Sequence, residues 1–520
     1  MQTPKQTLET IAQWGLTHLE QVIAIDSQSD EKSPTIPSTE GQRHLAAHLA
    51  TFFEGLGYHA EQDDSANLIV TVPANVEDVP AIALMVHTDT AEGTIAVPSL
   101  QRIPAWDGSQ IDYPANERLA VSAENYPATR DFLGEDVLHG PGDAPVGLDD
   151  KLGMAELMTL ARILRDNPTI AHGEVALVFR PDEEIGRMEA VVGLAAALHE
   201  RGISYGYTVD GIAGFEINTE NFNASAARVV VPFEPVGTAG NATRISLRID
   251  GVKSHGATAK AEGYLNAVLI FALAAPDLPA DVLPIGFESD PLCETSADAC
   301  FLLTGDAAEG EAALLAALNQ QLESAAWRGA ELTVTARGDA GQVRGDGGLL
   351  TAAKHIRTFL QTPGPTPVLS EDSDGHEGYS NPHFIVRSDD GWAVDYRLRD
   401  FDRAKLDARE EQVRQASSAG GLVAEVTQQY VNMGASLAEH PQLVTWALDA
   451  LKPLDVPPRT YPIRGGTGVD PFLAKGIPVA NLGTGYFAPE SEKELTSSQS
   501  IGRHSIWLTN LVQVIASKGS

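Results

Sequence analysis

Between residues 68 and 178 the chain alternates short β-branched runs (LIVTVPA, AIALMVH, EVALVF) with a helical pattern, KLGMAELMTLARILRDN. Strands followed by helices predict an α/β domain built on a mostly parallel sheet flanked by helices. In such sheets ligands collect outside the carboxyl ends of the strands, so residues that immediately follow a strand are where chemistry is expected.

A chain of 520 residues exceeds one ordinary hydrophobic core. From residue 242 to about 430 the reading changes. A strand at 245–249 (ISLRI), a helix at 265–274, a strand at 301–304 and a helix at 311–322 are followed by a similar series. In that series LTVTARG resembles LRIDG, LLTAAKHIRTFL resembles LNAVLIFALA, VDYRL resembles CFLLT, and AKLDAREEQVRQ resembles EAALLAALNQQL. The strand at Leu332 is read both as the end of one copy and as the start of the next. The α/β pattern then resumes with HPQLVTWALDAL, IPVAN and SIWLTNLVQVIAS. The expected organisation is a catalytic domain in two parts, 1–241 and 432–520, interrupted by an inserted α+β lid at 242–431. That lid divides into copies at about 242–330 and 331–431.

Composition narrows the function classes. Asp and Glu outnumber Lys and Arg by 71 to 36, a formal charge of -35 that repels nucleic acid and anionic membranes. The start, MQTPKQTLETIAQWGLTHLEQVIAI, has helical spacing without a basic n-region or an unbroken apolar core, so no signal peptide is expected there. No later stretch approaches the roughly 18 apolar residues of a membrane span. A soluble, cytoplasmic protein is expected. Its cysteines are Cys293 and Cys300, so a metal would have to be held by His, Asp and Glu.

Such residues stand at the strand ends. His87 and Asp89 close AIALMVHTD, and positions i and i+2 of a strand share a face, so one can bind a metal while the other orients it. Alone this is weak, because a histidine at a strand end is more often structural. In GLDDKLG, Asp149 and Asp150 precede a helix starting near Lys151. One of them suits the N-cap, which leaves a carboxylate able to bridge two cations. In FRPDEEIG, adjacent Glu183 and Glu184 follow a strand; like charges raise the pKa of at least one unless a cation is near. A lone Glu-Glu pair is commonly just a solvated turn. Asp210, in SYGYTVDG, follows another strand in the same placement.

The stretches IPSTEGQ, PANVEDVPAIALMVHTDT, GLDDKLG, FRPDEEIG, YTVDG, NTENFNAS, DGVKSHGATAK, RLRDFDR, PIRGGTG and NLGTGY occur in this order. Together they resemble the peptidase T branch of the aminoacylase-related two-metal metallopeptidases. The resemblance spans most of the chain apart from roughly 276–371. It implies a hydrolase, an aminopeptidase or tripeptidase, with two divalent metal ions per chain, zinc by default and manganese or cobalt as alternatives. It implies that His87 and Asp210 bind one metal, Glu184 the other, and that Asp149 bridges them. Asp89 would orient His87, Glu183 would be the general base, and His255 in the lid would support the oxyanion. Arg399 and Arg464 would approach the substrate, Arg464 through the peptide carboxylate, for which a bidentate guanidinium is suited.

The sequence also departs from that pattern. The family closes its second metal sphere with a His after GTGY and a Glu four residues later, whereas GYFAPESEKELTS contains no His. The spacing puts Glu490 at the ligand position and Glu494 at the following Glu, with Glu492 as the other candidate. A carboxylate in place of imidazole suits harder ions such as manganese. The family's GGTDG reads GGTGVD here.

Further readings remain at this level. The same site would serve an N-acyl or N-carbamoyl amino-acid amidohydrolase, and the missing His would suit a non-catalytic binding protein on a peptidase fold. In relatives with one lid, two chains pair through their lids; a duplicated lid would imitate that pairing inside one chain, so a monomer is expected. His255 in the first copy lines up with Gln342 in the second.

Overall fold

The computed structural model describes residues 1–117, 119–236, 242–252, 265–289, 296–322, 330–340, 345–365 and 376–518. The chain forms two compact units, one of residues 1–221, 433–463 and 467–520, the other of residues 222–432 and 464–466.

In the first unit an eight-stranded sheet runs in the order His59–Gln62, Leu68–Val72, Val175–Arg180, Ile82–His87, Tyr205–Gly211, Val479–Gly483, Glu216–Asn221, Arg459–Ile463. Its central strands, Val175–Arg180, Ile82–His87, Tyr205–Gly211 and Val479–Gly483, pair in parallel. Antiparallel pairs adjoin this block, and a further parallel pair, Arg459–Ile463 on Glu216–Asn221, closes the far edge. The runs IALMVH and VALVFR are buried at every position, as expected of parallel strands covered on both faces. Helices Leu8–Ile23, Leu148–Asp166 and Ser498–Lys518 contribute Ile11, Leu157 and Leu508 to the same core as Leu84 and Phe179. Because the central strands are parallel, with His87 paired to Arg180, their carboxyl ends share one edge. The connections leaving that edge carry Asp89, the pair Glu183 and Glu184, and Glu490; Asp210 is the penultimate residue of its strand. A small antiparallel sheet of Gln101–Ile103, Val137–His139 and Leu495–Ser497 anchors the last of these connections.

The second unit holds two four-stranded sheets with the same strand order. In the first, the chain order is Thr243–Asp250, helix Ala267–Ala274, Val282–Ser289, Ser296–Leu303, helix Ala307–Leu322, Glu331–Asp339. In the other it is Asn223–Pro232, helix Gly347–Gln361, Tyr379–Arg387, Gly391–Asp400, helix Arg403–Ala419, Ala424–Tyr430. Both sheets place the second strand on one edge and the fourth on the other, and all their pairs are antiparallel. They share one core, in which Val229, Ile245, Phe271, Ile356 and Tyr396 are buried.

The boundaries differ from those expected. The second unit opens at Phe222, not 242, because Asn223–Pro232 pairs with Gly391–Asp400 and Ala424–Tyr430. The strand at Leu332 does not serve two copies. It pairs along its whole length with Thr243–Asp250 and closes the first sheet, while the second sheet draws its opening strand from before the insert. One β-α-β-β-α-β unit is thus set into a loop of the other.

Helix Leu148–Asp166 lies hard against the sheet through Gly153. A Cβ there would stand 2.3 Å from the Val209 carbonyl oxygen and 2.3 Å from Asp150 Oδ1. Since the Val209 oxygen belongs to the strand that carries Asp210, the helix and the strand cannot both keep their places around a methyl group. Gly153→Ala is expected to lower stability by about 1–3 kcal/mol through overpacking and to reduce metal content, read by thermal denaturation and elemental analysis.

Candidate metal centre

His87, at the end of its strand, is 1% exposed. Its Nδ1 lies 2.9 Å from the Asp89 carbonyl oxygen, which can only accept, so Nδ1 carries a hydrogen. Nε2 faces Asp149 Oδ1 at 2.9 Å and Asp210 Oδ1 at 3.3 Å. Burial alone would pull the imidazole down, but Asp210, Asp149 and Asp89 hold it well above its ordinary value. A proton on Nε2 therefore occupies the place between imidazole and carboxylates that a cation would fill.

Of the paired aspartates, Asp150 is the structural one. Its Oδ1 accepts from the Gly153 N–H at 3.2 Å, capping the helix, and its Oδ2 accepts from the His87 N–H at 3.3 Å. Asp149 turns toward His87, and its Oδ2 accepts from the Tyr486 hydroxyl at 2.9 Å. Burial pushes against its ionised form, yet the His87 hydrogen bond and charge keep it below the usual carboxylate range.

The turn bearing Glu183 and Glu184 is clamped from both sides. Asp89 accepts from the Glu183 N–H at 2.9 Å and from the Glu184 N–H at 3.0 Å. Asp182, in the left-handed region at φ 56°, accepts from the N–H of Ser38 and the side chain of Gln42, which places the IPSTEGQ stretch in the fold. The Asp89 carboxylate was expected to orient His87. It stands 3.5 Å from Nδ1 and also holds the two glutamate amides, while the Asp89 carbonyl oxygen is the nearer partner of the ring at 2.9 Å.

Glu490, not Glu492, reaches the cluster. His87, Asp149 and Asp210 form one group able to hold a metal ion, and Asp149, Glu184 and Glu490 form another, with ligand atoms within 4.8 Å of one another in each. Glu492 is paired with Lys493. The donor set fits divalent cations on a second ground: Glu184 Oε1 is buried with no hydrogen-bond partner among the described residues. Burial, Asp149 and Glu490 push that carboxyl well up. Burial likewise raises Asp210 to about 7, helped by Asp149 and opposed by His87.

The sequence reading gave no role to three neighbours. Glu494 is 2% exposed; its Oε2 accepts from the N–H groups of Val146, Gly147 and Leu148 at 2.9, 2.9 and 3.3 Å, and its Oε1 from that of Glu490 at 3.1 Å. It ties the loop before Asp149 to the loop bearing Glu490. Burial and the Asp149 charge raise it to about 7 against those hydrogen bonds. Tyr486 anchors Asp149, and its place in NLGTGY was the available signal. Arg180, 1% exposed, donates from Nη2 to the Thr467 carbonyl at 3.0 Å and stands 3.6 Å from Glu183 Oε1. Burial raises the Glu183 carboxyl, and Arg180 opposes the rise. No local pattern marks a strand-end arginine as internal.

The first unit thus brings together His87, Asp89, Asp149, Glu183, Glu184, Asp210 and Glu490. Arg399 and Arg464 belong to the second unit. There Arg399 donates to the carbonyls of Ser225 and Leu398 and lies over Tyr430, while Arg464 donates to the Glu377 carbonyl and lies over Phe222. His255 and Gln342 lie outside the described residues. His504 sits within the closing helix.

Over most of its length the chain is similar to proteins named peptidase T. It is 26% identical to peptidase T of Geobacillus sp. (strain WCH70) over 473 residues, 89% of each chain. It shares its fold with a tripeptidase from Staphylococcus aureus, with TM-score 0.56, 17% identity and coverage of 98% and 99% of the two chains. It likewise shares its fold with the aminoacylhistidine dipeptidase of Vibrio alginolyticus, with TM-score 0.58, 14% identity and 98% of each chain. No family model matches the chain. Among the described residues no helix is long and apolar enough to cross a membrane.

The raised carboxyls make a pH prediction for the metal-free chain. Asp210 and Glu494, at about 7 when folded, hold protons that the unfolded chain releases near its ordinary carboxylate values. The folded state binds more protons across that window, so its stability should fall as pH rises from about 4 to 7. Divalent metal should reverse the trend and release protons on binding. Thermal midpoints with and without metal, together with proton release on titration, check this.

Proposed function

We propose that this chain is a metal-dependent exopeptidase that removes the N-terminal residue from di- and tripeptides. The observation that carries the reading is Asp149, which is shared by both ligand groups beside a further carboxylate, Glu183, that belongs to neither. His87 and Asp210 would hold one ion, Glu184 and Glu490 the other, and Asp149 both. Divalent ions bound there would supply Lewis acidity to the scissile carbonyl and lower the pKa of the attacking water.

Glu183 does the proton transfer. Its raised carboxyl is suited to take a proton from the attacking water and return it to the leaving amine. Arg180, close to one oxygen, keeps that carboxyl from rising further and limits its motion. Asp89 holds the amides of both glutamates, so the base and the ligand keep a fixed spacing. Zinc suits the group that includes His87, and the all-carboxylate group also accepts harder ions such as manganese. Arg399 and Arg464 are assigned to the substrate, Arg464 to its carboxylate, and His255 to the oxyanion. A cytoplasmic location goes with this reading.

Glu183→Gln is expected to lower turnover on tripeptides about 10²- to 10⁴-fold with metal content retained, whereas Asp149→Ala loses both ions and Glu490→Ala loses one. Metal analysis after dialysis, run beside the assay, checks all of these. If Glu183→Ala sheds metal while Glu184→Ala keeps it, the roles of the two glutamates are exchanged.

We assign the chain a monomeric state, because its second unit already joins two equivalent sheets in one core. Light scattering should give the mass of one chain. A stable dimer joined through the second unit contradicts the assignment.

A further inference from the structure

The first unit contains a cavity of about 550 Å³ that the mechanism above does not use. Its wall includes Phe132, Ile212, Phe215, Val456, Tyr486 and Phe487. The charged groups at its margin are already paired, Arg459 with Asp131 at 2.7 Å and Arg503 with Glu135 at 2.6 Å. What the cavity offers a ligand is apolar surface, and its volume lies in the range of small-molecule sites, roughly 300–1,000 Å³.

The cavity adjoins the metal centre along several lining segments. Ile212 lies two residues beyond Asp210, the Tyr486 hydroxyl is hydrogen-bonded to Asp149, and the lining residue Pro489 immediately precedes Glu490. Tyr486 thus lines the cavity and touches the metal centre at once.

The wall is held in shape by a device with no other evident use. Phe215 adopts the left-handed backbone conformation, φ 59°, which is unfavourable for a bulky residue unless its surroundings enforce it. The His504 ring lies flat against the Phe215 ring, with centroids 4.1 Å apart and planes 3° apart, and its Nε2 accepts from the Phe215 N–H at 3.1 Å. Nδ1 stands 2.8 Å from the Ser500 carbonyl, so it carries the hydrogen and leaves Nε2 free to accept. His504 is fully buried, and burial pulls it down to about 3, so this arrangement persists across the neutral range.

We infer that this cavity is a specificity subsite that receives a large apolar side chain, such as leucine or phenylalanine, next to the scissile bond of the peptide. The inference rests on the peptidase reading and adds a substrate class to it. Phe132, Ile212, Phe215 and Val456 supply the contact surface, and His504 is a positioning residue that acts through Phe215.

The test compares kcat/KM for Leu-Ala-Gly and Ala-Leu-Gly with that for Ala-Ala-Gly, in the wild type and in two variants. Ala213→Leu fills the cavity and Val456→Asp charges its wall. The wild type should prefer one of the leucyl peptides about tenfold or more, the scale at which an apolar pocket discriminates added methylenes, and each variant should erase most of that ratio. Calorimetry with N-acetyl-leucinamide and the metal-loaded chain separates this inference from the reading beneath it. Binding that Ala213→Leu weakens at least tenfold, without hydrolysis of any peptide, upholds the cavity and sinks the peptidase reading. Peptide hydrolysis with the same leucyl-to-alanyl ratio in all three proteins overturns the subsite.

Discussion

The first unit depends on a crowd of carboxylates around one buried point. Asp149 lies within ligand distance of His87 and Asp210 on one side and of Glu184 and Glu490 on the other. Ionised groups in such a place are costly unless paired, so the cluster must hold protons or cations. The carboxylates in the next layer mostly grip backbone. Asp89 holds the amides of Glu183 and Glu184, Asp150 those of His87 and Gly153, and Glu494 those of Val146, Gly147, Leu148 and Glu490. Each loop that presents one of the clustered side chains is thereby pinned through its main chain, and those side chains are left to face one another.

That arrangement follows from the parallel register. His87 pairs with Arg180, and the adjacent strands end on the same edge, so segments far apart in sequence converge there without any direct link between them. The close approach at Gly153 sets the helix carrying Asp149 and Asp150 against the Asp210 strand. Position along the edge is fixed by the sheet, and depth is fixed by that helix contact.

Much of this was legible in the chain because it is written in local pattern. The strand ends at His87 and Asp210, the helix after Asp150 and the closing helix bearing His504 all follow from apolar periodicity. What was not legible depends on pairing or on a single backbone angle. The opening strand of the second sheet, Asn223–Pro232, has its partners beyond the inserted unit, and nothing in the run NASAARVVVP names them. The choice between Glu490 and Glu492 turns on the left-handed backbone at Glu490, φ 52°, and on the Lys493 ion pair of Glu492. The choice between Asp149 and Asp150 turns on which one caps the helix.

Glu490 adds a carboxylate to a cluster already rich in them, which disfavours the ionised form of the neighbouring Glu184. Arg180 supplies a buried positive charge beside Glu183 that acts the other way. A guanidinium in that position needs space and an acceptor, and the GGTGVD stretch provides both. Thr467 offers its carbonyl, and at Gly468, φ 56°, a Cβ would stand 2.2 Å from Arg180 Nη1. The altered loop and the arginine therefore fit one another sterically, and the arginine and the carboxylate-rich site fit one another in charge. A side chain at residue 468 would displace the buried guanidinium that stands beside Glu183.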